Sequence, residues 1–359
     1  MTIFNNPEFA HHEQVVFCHD EATGLRAIIA IHDTTLGPAA GDYRMWPYDS
    51  VDAALTDALR LSRAMSYKNA LADLPLGGGK SVIIGNPRTD KTPALLRAFA
   101  TQVQHQGGRY HVAEDIGIGM DDVEVFAQHT TYVFGLQSKG AATGDPLAFH
   151  SARGAFEGMR AAVAQRLKQD SLDGLRVAVQ GVGNVGRQLC KLLHEAGDTL
   201  IVTYVNADAS QQMAERYGAA IVGTEEIYAQ DVEVFSPCAM GAVINDATIP
   251  QLRASIIAGV ANNQLAEPRH GTVLHERNIL YAPDYVVNAG GMLNATGDIF
   301  GRYDVDEVMQ RILKIYDTTR EIFATSAAKN QPPSAIADAL ARAKIQAGKS
   351  QVGKSWKKD

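Results

Sequence analysis

The chain has 359 residues, of which 46% are hydrophobic and 20% charged, and its formal net charge at pH 7 is −7. This length exceeds what one hydrophobic core usually serves, so we expect two domains of an ordinary globular protein. The acidic balance argues against nucleic acid as a partner, and the absence of any run of about 18 apolar residues argues against a membrane span.

The cysteines and histidines show no structural pattern. Cys18, Cys190 and Cys238 are odd in number and far apart, which argues against a disulfide framework and favours a reducing compartment. The first residues have neither the basic region nor the long apolar stretch of an export signal. The histidine spacings match no metal site. We therefore expect a cytoplasmic protein without a bound metal.

The first part of the chain alternates short strands and helices. The hydrophobic pattern predicts strands at 15–18, 27–32, 81–85 and 110–113, and helices at 50–71, 92–104 and 120–128. Between Lys139 and Pro146, glycine and proline interrupt every local pattern. We place a linker there, so residues 1–145 form the first predicted domain.

The second part repeats a strand–helix alternation. After a helix at 151–167, the pattern predicts strands at 177–180 and 200–205, helices at 185–195 and 211–217, and further apolar runs at 232–235, 256–260 and 281–287. This alternation indicates βαβ units and a doubly wound parallel sheet over residues 146–330. A long helix at 305–326 precedes a last one at 334–346, with Ser334 as N-cap. We expect residues 331–359 to pack back on the first domain.

A glycine-rich turn directly follows the predicted strand at 177–180. It contains Gly181, Gly183, Asn184, Val185 and Gly186 and opens a predicted helix. In a dinucleotide-binding turn, the first glycine permits the tight turn, the second admits the pyrophosphate and the third lets helix and strand pack closely. The helix N-terminus then favours the phosphates. We predict a Rossmann dinucleotide site here.

The end of the next strand bears on the choice between NAD and NADP. An acidic residue normally binds the adenosine ribose there, yet the chain has Tyr204, Asn206 and Asp208. Either Asp208 or Asn206 could replace the carboxylate. No adjacent arginine is present to bind a 2′-phosphate, so NAD is favoured over NADP.

Two lysines and a glycine triplet mark a second candidate site. Lys68 ends the predicted helix, and Lys80 follows Gly77-Gly78-Gly79, where the backbone can approach a small ligand closely. One alternative is a phosphate-binding P-loop, but Leu74 stands where that motif needs glycine, and a strand rather than a helix follows. Another alternative is a hairpin with a solvated Lys80. Asp115, at the end of a predicted strand, is well placed for a cleft.

These residues carry a resemblance to a known family. The chain resembles the amino acid dehydrogenases that include leucine, valine, phenylalanine and glutamate dehydrogenases, most closely the leucine dehydrogenase branch. The resemblance follows family order through residues 33–38, 44–46, 65–69, 77–80, 113–115, 181–186, 237–239 and 282–291. It implies a two-domain α/β fold, with an N-terminal substrate domain of the dimerisation type and a Rossmann domain, in a homo-oligomer.

The resemblance also implies a reaction and residue roles. The reaction is reversible oxidative deamination of an L-amino acid to a 2-oxo acid and ammonia, with hydride passing to the nicotinamide. Lys68 would bind the substrate carboxylate, Lys80 would act as general base, and Asp115 would relay protons. An ordinary lysine is charged at neutral pH, so this role requires surroundings that favour the free amine. The resemblance places further cofactor contacts at Ser151, Cys238, Ala239 and Asn288, and substrate contacts at Gly41 and Asn262.

The side-chain pocket implied by the resemblance is less regular. It falls on Ala40, Met65, Ala113, Met292 and Ala295. Leucine dehydrogenases carry larger aliphatic residues at positions 40 and 295, whereas Met292 is bulkier than the family's valine, and Asp42-Tyr43 replaces a Gly-Thr pair. We expect leucine-like substrates first. The alternatives are an aromatic substrate, phenylalanine or tryptophan, and a non-catalytic dinucleotide sensor.

Overall fold

The computed structural model describes residues 3–136, 146–301 and 304–355. The predicted linker and domain boundary between Lys139 and Pro146 lie outside the described residues, apart from Pro146 itself. The chain divides into two compact units. The first comprises residues 1–140, 295–303 and 341–359, and the second comprises 141–294 and 304–340. We expected residues 331–359 to pack back on the first domain, but residues 331–340 belong to the second unit.

The first unit contains a five-stranded sheet. Its strands are β1 (Gln14–Asp20), β2 (Leu25–Asp33), β3 (Ala39–Trp46), β4 (Gly77–Ile84) and β5 (Tyr110–Glu114), in the order β1-β2-β4-β3-β5. The pairs β1–β2 and β2–β4 are antiparallel, whereas β4–β3 and β3–β5 are parallel. The pattern did not predict β3, because its first half, Ala-Ala-Gly-Asp, lacks the β-branched residues typical of strands.

Helices cover both faces of this sheet. Helix α1 (Val51–Leu71) begins at Ser50, whose hydroxyl accepts a hydrogen bond from the Ala53 N–H. Its apolar side packs on β2 and β4. Helices α2 (Pro93–Gln104) and α3 (Met120–Ala127) pack on the opposite face. The residues of β3 and β4 that point toward α1 are therefore available to form a site on that side.

The second unit contains a six-stranded parallel sheet. Its strands are β6 (Arg176–Gln180), β7 (Thr199–Thr203), β8 (Ala220–Ile221), β9 (Val234–Pro237), β10 (Ile256–Ile257) and β11 (Leu280–Tyr281), in the order β11-β10-β9-β6-β7-β8. All neighbours are parallel. This is the Rossmann strand order, in which ligands bind beyond the carboxyl ends of the central strands. The predicted doubly wound fold is confirmed.

The helices of the second part are α4 (Pro146–Arg166), α5 (Asn184–Glu195), α6 (Ala207–Tyr217), α7 (Arg269–Glu276), α8 (Asp284–Val287), α9 (Gly290–Phe300), α10 (Val305–Lys329) and α11 (Pro333–Ser355). Three predictions were wrong in detail. Strand β7 ends before Tyr204, the apolar run at 281–287 forms α8 after only two strand residues, and Ser334 lies inside α11 rather than capping it. Within the described residues, no helix is long and apolar enough to cross a bilayer.

Candidate active site

Lys80 is buried in the middle of β4. Its side chain is 2% exposed, and its Nζ lies 2.5 Å from Asp115 Oδ2 and 3.0 Å from Asp42 Oδ2. Both alternatives for this segment were wrong: Lys80 is not solvated, and the three glycines lie within a strand rather than in a phosphate-binding loop. A buried lysine held between carboxylates is a candidate for proton transfer.

The strand register explains why these side chains meet. Tyr43 on β3 pairs with Ser81 on β4, so Asp42 stands beside Lys80, and Asp42 also pairs with Ala113 on β5. Side chains alternate between the faces of a sheet, so Asp42 and Lys80 point to the same side. Asp115 follows two residues after Ala113, where β5 ends, and reaches the same nitrogen.

A second cation stabilises the Asp115 carboxylate. Arg44 Nε lies 3.1 Å from Asp115 Oδ2, and Arg44 Nη1 lies 3.0 Å from Asp57 Oδ2 on α1. Tyr48 donates a 2.6 Å hydrogen bond to the same Asp57 oxygen. Burial alone would raise the pKa of Asp115, but the charges of Lys80 and Arg44 hold that pKa well below its usual range. Asp115 is therefore ionised throughout the neutral range.

Lys68 is buried near the C-terminus of α1, at a point where the helix contacts β4 closely. A Cβ added to Gly78 would come 2.0 Å from the Ser66 backbone nitrogen. The Asn69 amide donates a 2.6 Å hydrogen bond to the Gly77 carbonyl. Contacts on both sides of position 68 therefore tie this end of α1 to β4, the strand that carries Lys80.

The glycine triplet has a packing role that the sequence did not indicate. An added Cβ at Gly77 would come 2.0 Å from the Asp33 carbonyl oxygen, and one at Gly79 would come 2.6 Å from the Tyr110 ring. The close approach at these positions is therefore to the protein's own backbone and side chains.

Four of the predicted substrate residues lie on α1 and on the strands of the first unit. Ala40, Met65 and Ala113 are buried, and a Cβ at Gly41 would lie 3.2 Å from Met65 Cγ. Ala40 pairs with Gly78 and with His111 across the sheet. Met292 and Ala295 lie apart from these in the chain, both buried, one turn from each other on α9.

In the second unit, the turn after β6 has the geometry expected of a dinucleotide site. Gly181 has φ +102°, and a Cβ there would come 2.6 Å from Ala239 Cβ. A Cβ at Gly186 would come 2.0 Å from the Gly181 carbonyl oxygen. Asn184 and Val185 are the first two residues of α5, whose N-terminal N–H groups favour a phosphate.

The residues after β7 do not supply the usual carboxylate directly. Tyr204 lies beside the turn, with its hydroxyl 3.4 Å from where a Cβ on Gly183 would be. The Asn206 side chain accepts a hydrogen bond from the Ala209 N–H and caps α6. Asp208 lies in the first turn of that helix.

The remaining predicted cofactor residues lie near the ends of other strands and helices of this unit. The Cys238 N–H donates to the Gln180 carbonyl at 2.8 Å, which places Cys238 and Ala239 next to the glycine turn. Ser151 on α4 lies against the start of α9, where a Cβ on Gly291 would come 2.5 Å from its hydroxyl oxygen.

Asn262 and Asn288 form a pair in the second unit. Asn288 Nδ2 donates to Asn262 Oδ1 at 2.8 Å and to the Val260 carbonyl at 3.1 Å. Asn288 Oδ1 is buried and has no hydrogen-bond partner among the described residues. A buried acceptor without a partner fits a ligand that donates an N–H, as the nicotinamide carboxamide does.

Sequence reasoning did not assign roles in the site to Asp42, Arg44, Asp57 or Tyr48. The available signal was the placement of Asp42 and Arg44 two residues apart, because strand alternation puts such residues on one face. The missing information was the strand itself, since β3 was not predicted.

One acidic cluster lies elsewhere in the second unit. Ligand atoms of Asp246, Glu267 and His270 lie within 4.8 Å of one another. Arg269 pairs with both carboxylates, at 2.5 and 2.8 Å, and His270 Nδ1 accepts a hydrogen bond from the Glu267 N–H. The Arg269 guanidinium balances the negative charge of the two carboxylates, so the cluster is an ion-pair network.

The second unit has a Rossmann sheet with a glycine turn, and the first unit holds a buried lysine between carboxylates; together these features define a dinucleotide-dependent oxidoreductase. Comparison with known families agrees. Residues 12–134 match the dimerisation domain of Glu/Leu/Phe/Val dehydrogenases, and residues 150–208 and 204–353 match the Glutamate/Leucine/Phenylalanine/Valine dehydrogenase model.

Individual relatives are similar over nearly the whole chain. A leucine dehydrogenase of Geobacillus stearothermophilus is 49% identical over 96% of this chain and 94% of its own length. An L-tryptophan dehydrogenase of Nostoc punctiforme is 45% identical over 99% of both chains. The crystal structure of L-tryptophan dehydrogenase from Nostoc punctiforme superposes with a TM-score of 0.80, covering 97% of this chain and 100% of that one at 44% identity. The chain belongs to the Glu/Leu/Phe/Val dehydrogenase family of NAD(P)-dependent amino acid dehydrogenases.

Proposed function

We propose that this protein catalyses the reversible, NAD-linked oxidative deamination of a hydrophobic L-amino acid, with leucine-like substrates preferred, to the 2-oxo acid and ammonia. The observation that carries the proposal is the buried Lys80, with Nζ 2.5 Å from Asp115 and 3.0 Å from Asp42. A lysine withdrawn from solvent and held in one position is suited to exchange protons with a substrate amine and with an attacking water.

Lys80 and Asp115 are the proposed catalytic residues. As the free amine, Lys80 takes a proton from the substrate ammonium group and releases it to solvent. The free amine then takes a second proton from the water that attacks the iminium carbon, and returns it to the amino group that leaves as ammonia. Asp115, ionised because of Lys80 and Arg44, accepts a hydrogen bond from the substrate amine and stabilises the positive charge of the iminium group. The rigid network behind it fixes its carboxylate.

The proposed substrate contacts orient the amino acid. Lys68 pairs with the substrate carboxylate, because a buried ammonium group near the start of β4 supplies a complementary charge. Ala40, Gly41, Met65 and Ala113 supply the apolar surface for its side chain, with Met292 and Ala295 from α9. Asn262 orients the substrate through its pairing with Asn288.

The family implies a nicotinamide dinucleotide, which accepts the substrate hydride when bound. We assign its phosphates to Gly181, Gly183, Asn184, Val185 and Gly186 and its carboxamide to the Asn288 acceptor, with Ser151, Cys238 and Ala239 as further contacts. For the adenosine ribose we assign Tyr204 and Asn206. NAD is preferred to NADP because the chain from Tyr204 to Ser210 contains no cation for a 2′-phosphate and includes Asp208.

The choice of amino acid rests on pocket size. Ala40, Ala113 and Ala295 have small side chains and Met65 and Met292 have large apolar ones, a combination that suits a branched aliphatic substrate. An aromatic substrate is the second candidate, favoured by the same small residues and by the 45% identity to an L-tryptophan dehydrogenase. The two candidates share one mechanism and differ only in how the methionines pack.

Three further assignments complete the proposal. Residues 1–145 form the substrate domain, residues 146–330 form the dinucleotide domain, and the match to a dimerisation domain supports a homo-oligomer. The three cysteines are free thiols, which supports the cytoplasm as the compartment.

The test is the formation of reduced nicotinamide, followed by absorbance, with a panel of L-amino acids and either NAD or NADP. We expect turnover with NAD and apolar amino acids, at least a 10³-fold loss in Lys80→Ala, and no loss in the surface control Lys344→Ala. Turnover limited to glutamate, or full activity in Lys80→Ala, would contradict the proposal. Dinucleotide binding without any turnover would favour a sensor instead.

A further inference from the structure

The Lys80 amine has one tetrahedral direction left for a substrate. Its nitrogen carries Cε and contacts two acceptors, Asp115 Oδ2 at 2.5 Å and Asp42 Oδ2 at 3.0 Å. Within the part of the chain that the structure describes, Nζ contacts no third acceptor. The hydrogen bond to Asp42 and the ion pair with Asp115 occupy two directions around Nζ and restrict rotation about Cε–Nζ, so the remaining position, a proton or the lone pair, has a preferred direction.

The two carboxylates differ in their surroundings. Asp115 is 10% exposed in its side chain and also binds Arg44, whereas the Asp42 side chain is 23% exposed. Asp42 binds no other cation among the described residues. Asp42 is therefore an additional carboxylate whose charge acts on Lys80.

We propose that Asp42 is a positioning residue for Lys80, which fixes the direction of the amine lone pair and whose negative charge stabilises the ammonium form. This inference rests on the proposed role of Lys80 as general base. The orienting effect requires only a hydrogen-bond acceptor at position 42, whereas stabilisation of the ammonium form requires a negative charge there. The two effects can therefore be separated by substitution.

The charged groups around Lys80 come from each neighbouring element. Strand β3 supplies Asp42 and Arg44, the end of β5 supplies Asp115, and α1 supplies Asp57, which pairs with Arg44. Tyr110 on β5 donates a 3.1 Å hydrogen bond to the Asp42 backbone carbonyl. The connected network contains two cations, Lys80 and Arg44, and three carboxylates, those of Asp42, Asp57 and Asp115. Removing the charge of Asp42 leaves two pairs in balance, so the fold should tolerate the change.

Asp42→Asn and Asp42→Ala separate the two effects. Asparagine keeps an acceptor oxygen but loses the charge, and alanine loses both. We expect the acidic limb of the kcat/KM pH profile to move to lower pH by about one unit in both variants, because a nearby carboxylate favours the ammonium form. At the pH plateau, kcat should fall about 10- to 100-fold in Asp42→Ala but only about threefold in Asp42→Asn, since misdirected groups lose rate.

The matched control is Asp73→Asn. Asp73 also pairs with a lysine, Lys344, at 2.5 Å, but on the surface of the same unit. Neither the pH profile nor kcat should change in this variant. Unchanged kcat in a folded Asp42→Ala protein, or an unshifted acidic limb in Asp42→Asn, would overturn the proposal.

A second measurement does not depend on turnover. In protein with ¹³C-labelled lysine, the Lys80 Cε signal is identified by its loss in Lys80→Arg and followed by NMR through a pH titration. We expect its midpoint to fall in Asp42→Asn and to stay constant in Asp73→Asn. An unshifted midpoint would refute the role of Asp42. Failure of the proposed dehydrogenase activity would instead show as no turnover in the wild-type protein, and failure of the proposed role of Lys80 as full turnover in Lys80→Ala.

Discussion

Ser66 of α1 and Gly78 of β4 are in direct backbone contact, so close that a Cβ on Gly78 would come 2.0 Å from the Ser66 nitrogen and 2.3 Å from its hydroxyl oxygen. His32 holds the same serine through a 2.8 Å hydrogen bond between Nδ1 and Oγ. This contact determines how closely the helix that carries Lys68 approaches the strand that carries Lys80.

Gly78→Ala should therefore damage both stability and activity. The added methyl group must push α1 away from β4, and we expect a loss of about 2–4 kcal/mol in the free energy of unfolding, as for overpacked cores. The KM for the amino acid should rise because Lys68 moves. Thermal unfolding and steady-state kinetics measure both effects. Gly119→Ala is the control: its nearest neighbour would be 3.9 Å away, so the loss should stay below about 1 kcal/mol.

Tyr43→Phe should leave the protein as stable or more stable, by up to about 1 kcal/mol. The Tyr43 hydroxyl is buried without a hydrogen-bond partner among the described residues, and its ring stacks on Phe126 at 4.6 Å. Burial, with Asp122 and Glu114 nearby, raises the pKa of the phenol, so the hydroxyl stays neutral. Chemical denaturation measures the change.

Tyr110→Phe provides the contrast, because the Tyr110 hydroxyl is hydrogen-bonded to Ser81 and to the Asp42 carbonyl. Its loss should cost about 1–2 kcal/mol. If Tyr43→Phe proved as damaging as Tyr110→Phe, the Tyr43 hydroxyl would have to possess a partner.

The glycines of the dinucleotide turn should respond differently to substitution. Gly186→Ala places a Cβ 2.0 Å from the Gly181 carbonyl oxygen, so it should lower the melting temperature of the protein itself. Gly183→Ala meets only the Tyr204 hydroxyl, at 3.4 Å. It should fold normally but bind the dinucleotide at least about tenfold more weakly, because the second glycine admits the pyrophosphate. Fluorescence titration with NADH and thermal melting distinguish the two variants. If Gly183→Ala and Gly186→Ala changed NADH binding and melting temperature equally, the assignment of Gly183 to the pyrophosphate would be wrong.

Asp198 should make the protein less stable as the pH rises. Burial, followed by the neighbouring Asp173, raises the pKa of Asp198 to about 7, and both carboxylate oxygens are buried without a hydrogen-bond partner among the described residues. The folded state thus holds a proton that the unfolded state releases near pH 4. The contribution of Asp198 to the stability of the folded state is complete below about pH 4 and is lost as the pH rises toward 7.

Asp198→Asn should accordingly stabilise the protein at pH 8 by about 1–3 kcal/mol and change little at pH 4. Melting temperatures across this range measure the effect. Asp170→Asn, an exposed aspartate of the same unit, is the control and should follow the wild type at every pH. A parallel pH dependence in Asp198→Asn and wild type would show that Asp198 is not the responsible group.

Local sequence predicted much of this protein. Helical spacing identified α1, and the alternation of strands and helices predicted the parallel sheet of the second unit. The turn from Gly181 to Gly186 was predicted because its signal is contained in a few consecutive residues. Lys68, Lys80 and Asp115 were identified through their neighbouring motifs. Each of these predictions depended on residues close together in the chain.

The tertiary structure alone decided how the charged groups meet. Asp42, Arg44, Asp57, Lys80 and Asp115 come from four separate elements, and they converge because β3 pairs with both β4 and β5. The sequence of β3 gives little sign of a strand, so its register could not be inferred. The packing reason for Gly78 likewise appears only where α1 touches β4. Local patterns determine which elements form, whereas pairing over long separations determines that Lys80 lies between two carboxylates.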